Sequence, residues 1–196
     1  MNYEVYTPDT QEKNLPMIVF LHGAGERGWN IDHLAKHGIP MMMKNGAEIP
    51  AVVLCPQCPA NCVWDNIPFD VMALIEKIAA EYEVDSDRIS ITGGSMGGFG
   101  TWYTAMAYPD MFAALAPCCG GGMAWGANVL KMPIWTFHGL EDKVVSPNHT
   151  LEMIEKLKST NPRFKYDLYE GVGHNSWELA FSEELLEWML SQSKDC

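Results

Sequence analysis

The stretch RISITGGSMGGFG, Arg88 to Gly100, decides how the chain is read. Ile89 to Thr92 is a short apolar run that suits a buried strand, and the residues from Met96 onward can form a helix. Between them, Gly93-Gly94-Ser95-Met96-Gly97 matches G-x-S-x-G. That is the setting of a nucleophile elbow, in which a serine sits on a tight, strained turn from strand to helix. Glycines on either side leave room for the neighbouring strand and helix. The helix N-terminus then places a free backbone N–H and the positive end of the helix dipole near the serine. The competing reading is a glycine-rich helix cap with an incidental serine. The strand before and the helix after favour the elbow.

Outward from the elbow, short apolar runs recur: Met17 to Leu21, Ala51 to Leu54, Ala113 to Ala116 and Ile134 to Phe137. Wholly apolar short strands suit a parallel sheet covered on both faces. Tyr166 to Tyr169 is a further strand, alternating more with polar residues. Helical patterns lie between the strands. In PFDVMALIEKIAAEY, Val71, Leu74, Ile75, Ile78 and Tyr82 share a face. Pro147 to Leu157 and Trp177 to Leu190 show similar spacing. The alternation predicts a single α/β domain over residues 1–196, a three-layer α/β/α sandwich with a mostly parallel sheet and right-handed crossovers.

A serine hydroxyl needs a base, and the base needs an acid to orient it. In hydrolases built on such an elbow the chain order is Ser, then Asp or Glu, then His. PIWTFHGLEDKVV offers Asp142 in the loop after a strand, with Glu141 as its rival. KYDLYEGVGHNSW offers His174 in a glycine-bearing loop after the last strand. His22 and His138 each precede a glycine at a strand end and read as loop braces. His33, His37 and His149 read as ordinary helix or loop residues.

Composition narrows the partners. Asp and Glu number 25 against 13 Lys and Arg, a formal charge of −12, with no basic run. Such a chain is repelled by nucleic acid and by anionic membrane surfaces. No apolar run reaches the roughly 18 residues of a membrane-spanning helix. The start, MNYEVYTPDTQEKNLP, lacks the basic and apolar segments of a secretory signal. Cys55, Cys58 and Cys62 carry one C-x-x-C, but no second paired element follows, so reduced thiols without a metal are expected of them and of Cys118, Cys119 and Cys196. The expectations are a cytoplasmic protein with no cofactor and a small-molecule ester substrate. The sequence carries no signal for an oligomeric state.

Taken together, LHGAGERG, GGSMGG, HGLEDKVV and GVGHNSW make a pattern that resembles the α/β-hydrolase superfamily. More narrowly it looks like the small bacterial carboxylesterases and predicted peptidases allied to dienelactone hydrolases and prolyl oligopeptidases. Some esterases that remove hydroxycinnamoyl or acetyl groups from plant polysaccharides look similar. The resemblance runs from about Leu15 to Leu190. It implies Ser95 as nucleophile, Asp142 as orienting acid and His174 as general base. It also implies that the N–H groups of Met96 and Ala24 form the oxyanion hole, with Gly25 as the alternative to Ala24. Dienelactone hydrolases use cysteine where this chain has Ser95, so their particular activity is not implied.

The same GAGERG, Gly23 to Gly28, also matches the dinucleotide fingerprint G-x-G-x-x-G. That fingerprint expects a helix to start at the turn and an acid about 20 residues on, ending the next strand. Here the amphipathic pattern begins only near Ile31, and Glu48 precedes its strand. The loop therefore reads as a turn that holds a transient oxyanion. The interval Cys118 to Met132 allows a loop and one helical turn, which predicts a site without a lid. Trp64 and Trp177 are candidates to line it, with Trp125 third; Glu26 and Arg27 are placed at the loop tip, to meet a polar leaving group or to pair with each other. The leading expectation is a serine carboxylesterase for short-chain or aromatic-acyl esters. A small serine peptidase and a non-catalytic binding module are the alternatives, and a nucleotide-binding oxidoreductase is the weakest reading.

Overall fold

The computed structural model describes residues 1–194, so the expectation for Cys196 lies outside the described residues. Among the described residues seven strands form one sheet: β1 (Asn2–Tyr6), β2 (Met17–Leu21), β3 (Val52–Gln57), β4 (Ile89–Gly94), β5 (Ala114–Cys118), β6 (Ile134–Gly139) and β7 (Phe164–Tyr169). Their order across the sheet is β1-β3-β2-β4-β5-β6-β7. All neighbours are parallel except β1, which runs antiparallel to β3 with Asn2 opposite Gln57 and Tyr6 opposite Val53.

Six α-helices among the described residues cover the two faces: α1 (Gly38–Lys44), α2 (Pro68–Glu81), α3 (Met96–Ala107), α4 (Asn148–Leu157), α5 (Trp177–Ala180) and α6 (Glu183–Leu190). Alternate side chains of each strand face opposite layers. Met17, Val19 and Leu21 of β2 pack with Val71, Ile75 and Ile78 of α2, Trp102 of α3 and Leu157 of α4. Ile18 and Phe20 pack on the other side with Ile39 of α1, Phe181, and Leu185 and Met189 of α6. The three-layer sandwich expected from the sequence is thus observed. No helix is long and apolar enough to cross a membrane among the described residues.

Three local expectations change. The N-terminal NYEVY, where the sequence marks no strand, is a sheet strand. The helix expected over Trp177 to Leu190 is two helices. Phe181 leaves the helical region at φ −79° and ψ 84°, and Ser182 caps α6 by accepting the Leu185 N–H at 3.3 Å. The segment from Ile31 opens as a 3-10 helix over Ile31–Lys36, kinked at Ala35, and α1 begins only at Gly38.

Candidate active site

Ser95 follows β4 directly and caps α3 with φ 56° and ψ −120°, a left-handed conformation that costs a non-glycine residue strain. Its neighbours make the turn possible. A side chain on Gly97 would collide with the Leu21 carbonyl, and one on Gly93 would meet the backbone of Leu21 and Gly97. The Ser95 N–H donates to the Cys118 carbonyl at 3.0 Å and faces the Cys119 thiol sulfur at 3.2 Å.

His174 enters from the loop after β7. Its Nε2 lies 2.9 Å from Ser95 Oγ, and its Nδ1 lies 2.7 Å from Asp142 Oδ2. Asp142, in the loop after β6, is clamped on its other oxygen: Oδ1 accepts the N–H groups of Val144 at 2.8 Å and Val145 at 2.9 Å. Burial pushes the Asp142 carboxyl up, but the His174 and backbone hydrogen bonds outweigh it and hold the carboxyl below its ordinary range. An ionised, immobile acid is what an orienting carboxylate requires. Glu141, its rival, is exposed.

The two brace histidines occupy the same neighbourhood. His138 is fully buried, with Nδ1 2.6 Å from Thr150 Oγ1 and Nε2 3.1 Å from the Val145 carbonyl and 3.3 Å from Asp142 Oδ2. Burial pushes its pKa down, and its contacts hold it behind the acid, where it does not compete for the serine. His22 Nε2 accepts the Cys58 N–H at 2.9 Å, which leaves the proton on Nδ1 to reach the Gly23 carbonyl at 2.6 Å. Its burial lowers the pKa to about 4.

His22 thus ties the opening loop to the residues after β3. Gln57 adds to the tie by donating to the carbonyls of Glu26 at 3.0 Å and Asn30 at 2.7 Å. The held loop is extended at Gly23 and turns into a one-turn 3-10 helix, Ala24–Glu26. The first N–H groups of a helix have no partner within it. Met96, first in α3, and Ala24, first in that turn, therefore both open helical segments beside Ser95; Ala24 and Gly25 both line the cavity there.

That cavity measures about 260 Å³. Phe20, Leu34, Trp177 and Phe181 form its apolar wall, with Val144 at the rim. Trp177 also packs edge-on against His174, ring centres 5.0 Å apart. Trp64 does not reach the cavity, contrary to expectation. It is fully buried beneath Gly100, and its indole N–H donates to the His22 carbonyl at 2.9 Å. Its bulk lies in the hydrophobic layer under α3, so it supports the loop instead of touching a ligand. Trp125 is 80% exposed and lies away from the cavity lining. Arg27 does not pair with Glu26; it donates to the carbonyls of Ala24 and Cys62 at 3.1 and 3.2 Å. Two residues that sequence reasoning undervalued line the cavity: Glu26, which is buried, and His37, the residue before α1.

Cys55, Cys58, Cys62, Cys118 and Cys119 are free thiols. Potential metal donors converge at one place among the described residues, where Cys119, Asp142 and His174 come within 4.8 Å of one another. Two of these three already serve the serine.

Fold and site together define an α/β-hydrolase: a parallel sheet that carries a serine on a strand-to-helix elbow, with an imidazole and a carboxylate in line. The chain belongs to the dienelactone hydrolase family, which it matches over residues 57–183. A thermostable esterase of known structure is 32% identical with a TM-score of 0.85, over 97% of this chain and 59% of that one. A bifunctional acetylxylan esterase/xylanase of Neocallimastix patriciarum is 28% identical over 72% of this chain and 21% of its own length. Feruloyl esterase B of Thermothelomyces thermophilus is 22% identical over 94% of this chain and 86% of its own. The chain therefore spans about a fifth of the bifunctional enzyme and under two thirds of the esterase structure. It belongs to a hydrolase family and has esterases among its relatives.

Proposed function

We propose that the chain is a serine carboxylesterase working through an acyl-enzyme. The observation that carries this is the continuous chain Ser95 Oγ, His174 Nε2, His174 Nδ1, Asp142 Oδ2, at 2.9 and 2.7 Å. Ser95 Oγ attacks the ester carbonyl carbon and passes its proton to His174 Nε2. The carbonyl oxygen takes the negative charge and is held by the N–H groups of Met96 and Ala24. Each such donor contributes about 100- to 1000-fold in turnover. Asp142 stabilises the imidazolium without taking the proton. The imidazolium then protonates the leaving alcohol as the C–O bond breaks. Water, deprotonated by the same imidazole, releases the acid and restores Ser95.

Short-chain or aromatic acyl esters, including those on plant polysaccharides, are the substrates this reading favours. Three features support it: the apolar wall of the cavity, the absence of a long insertion between β5 and β6, and the activities named for the two curated relatives. Serine at the nucleophile position, not cysteine, argues against the activity for which the family is called. The free thiols suit a reducing compartment such as the cytoplasm, which cell fractionation tests. The functional test is a panel of acetyl, butyryl, feruloyl and peptidyl substrates with fluorophosphonate labelling of Ser95. Faster turnover of peptides than of esters makes the chain a peptidase, and a folded protein that resists labelling makes it a binding module.

A further inference from the structure

Glu26 places a carboxylate in the cavity with nothing to hold it. Its side chain is only 9% exposed. Glu26 Oε2 and Ser95 Cβ lie 3.2 and 3.9 Å from the point where a side chain on Gly23 would begin, and both residues line the same cavity on either side of Gly23. Among the described residues, no N–H or O–H donates a hydrogen bond to either of its oxygens. The imidazole nitrogens His22 Nδ1 at 3.9 Å and His37 Nε2 at 4.0 Å stand beyond hydrogen-bond reach. The His22 Nδ1 proton is committed to the Gly23 carbonyl at 2.6 Å, and the Arg27 guanidinium is turned to the Ala24 and Cys62 carbonyls. An acceptor left open in a cavity wall while the rest of its side chain is enclosed calls for a reason.

Its position supplies one. The tetrahedral intermediate puts negative charge beside Ala24, two residues from Glu26 on the same turn. A bare carboxylate there opposes that charge. A substrate that brings a hydrogen-bond donor to Glu26 relieves the opposition and gains binding in the transition state. The donor must sit close to the scissile ester, because Glu26 does. A hydroxyl on the carbon next to the esterified one has that reach; a group at the far end of a long acyl chain does not.

We propose that Glu26 is a specificity-determining residue that accepts a hydrogen bond from the hydroxyl adjacent to the scissile ester on the alcohol side, which makes partial esters of sugars and polyols the preferred substrates. The inference rests on the ester-hydrolase reading above. A neutral hydroxyl fits the apolar wall of Phe20, Leu34, Trp177 and Phe181 better than an ammonium, which is costlier to desolvate. His37, on the other side of the carboxylate and half exposed, is placed to meet a further hydroxyl of the same alcohol.

The test compares kcat/KM for 2-hydroxyethyl acetate, 2-methoxyethyl acetate and propyl acetate, which differ at one donor. The wild-type protein should prefer the hydroxy ester by about tenfold or more, the value of a hydrogen bond to a charged group. Glu26→Gln keeps a neutral acceptor and should cut the preference to roughly threefold. Glu26→Met should abolish it, with thermal melting used to confirm that both variants fold. Ser95-dependent turnover at equal rates on all three esters overturns the proposal, as does a preference that survives in Glu26→Met. Faster turnover of 2-(dimethylamino)ethyl acetate than of the hydroxy ester overturns it by making the occupant an ammonium. If no ester shows Ser95-dependent turnover, the ester-hydrolase reading fails and this inference fails with it.

Discussion

Gly97 packs so tightly beneath Leu21 that a methyl group on its α-carbon would occupy the space of the Leu21 carbonyl oxygen. The contact joins the helix behind the nucleophile to the central strand, and neither backbone can withdraw without breaking the sheet. Gly97→Ala should therefore fail to give soluble, folded protein. Gly25→Ala is the control, since nothing lies within 4 Å of the added carbon, and its melting temperature should match the wild type. Soluble yield and thermal melting followed by circular dichroism check both.

The left-handed backbone at Ser95 stores strain of about 1 to 3 kcal/mol. Ser95→Gly relieves it at the expense of about 0.5 to 1 kcal/mol of chain entropy. The variant should lose activity and yet melt a few degrees above the wild type. Ser95→Ala should also lose activity, but with no gain in melting temperature. A glycine variant no more stable than the alanine one would show that the turn is unstrained.

Asp142→Asn keeps the shape of the orienting acid but favours the wrong imidazole tautomer. It should lower kcat by about 10⁴-fold on a p-nitrophenyl ester, a smaller loss than removing the nucleophile or the base would cause. Glu141→Gln, on the exposed neighbour, should leave kcat within about twofold. A stopped assay on the three purified proteins decides between the two acids.

The two tryptophans beside the site should separate stability from catalysis. Trp64→Phe removes a buried hydrogen bond to the His22 carbonyl and leaves a void under α3, for a loss on the order of 2 kcal/mol in urea unfolding. Trp177→Ala removes a cavity wall, so KM for aromatic esters should rise more than the urea midpoint falls. A large KM change confined to Trp64→Phe would reverse the two assignments.

Burial keeps His22 neutral in the folded state, with a pKa of about 4 against about 6.5 in the unfolded chain. Below pH 6.5 the unfolded chain binds the extra proton first. His22 thus contributes fully above pH 6.5, and its contribution declines as pH falls towards 4, by on the order of 3 kcal/mol. Buried His138 adds a loss of the same sign. Urea unfolding measured from pH 7.5 to 4.5 should show falling stability, with a shallower slope for His22→Gln.

Much of this was legible because the sequence repeats one physical message. Met17 to Leu21 and Ile134 to Phe137 are apolar on both faces, which only a doubly covered parallel strand tolerates. The elbow announces itself because no other residue than glycine fits at 93 and 97. The edge strand Asn2–Tyr6 is half-buried throughout, so no apolar run marks it. The break before α6 was carried by Ser182 followed by two acids, an N-cap signature inside an otherwise helical spacing. Trp64 was misplaced because an aromatic residue does not declare which layer it fills. For Glu26 the sequence offers a loop-tip acid that meets a polar leaving group or pairs with Arg27. Its burial among Phe20, Leu34 and His37 in the cavity wall is a product of tertiary packing that no local pattern encodes.

The nucleophile and its base are 79 residues apart in the chain. The strained serine turn and the loop that carries its base therefore hang on different parts of the sheet, β4 near its centre and β7 at its edge. The contact between Ser95 and His174 exists only while β7 is paired with β6 and the loop beyond it is folded back. On the esterase reading proposed above, turnover is thus a report that the edge strand is in place.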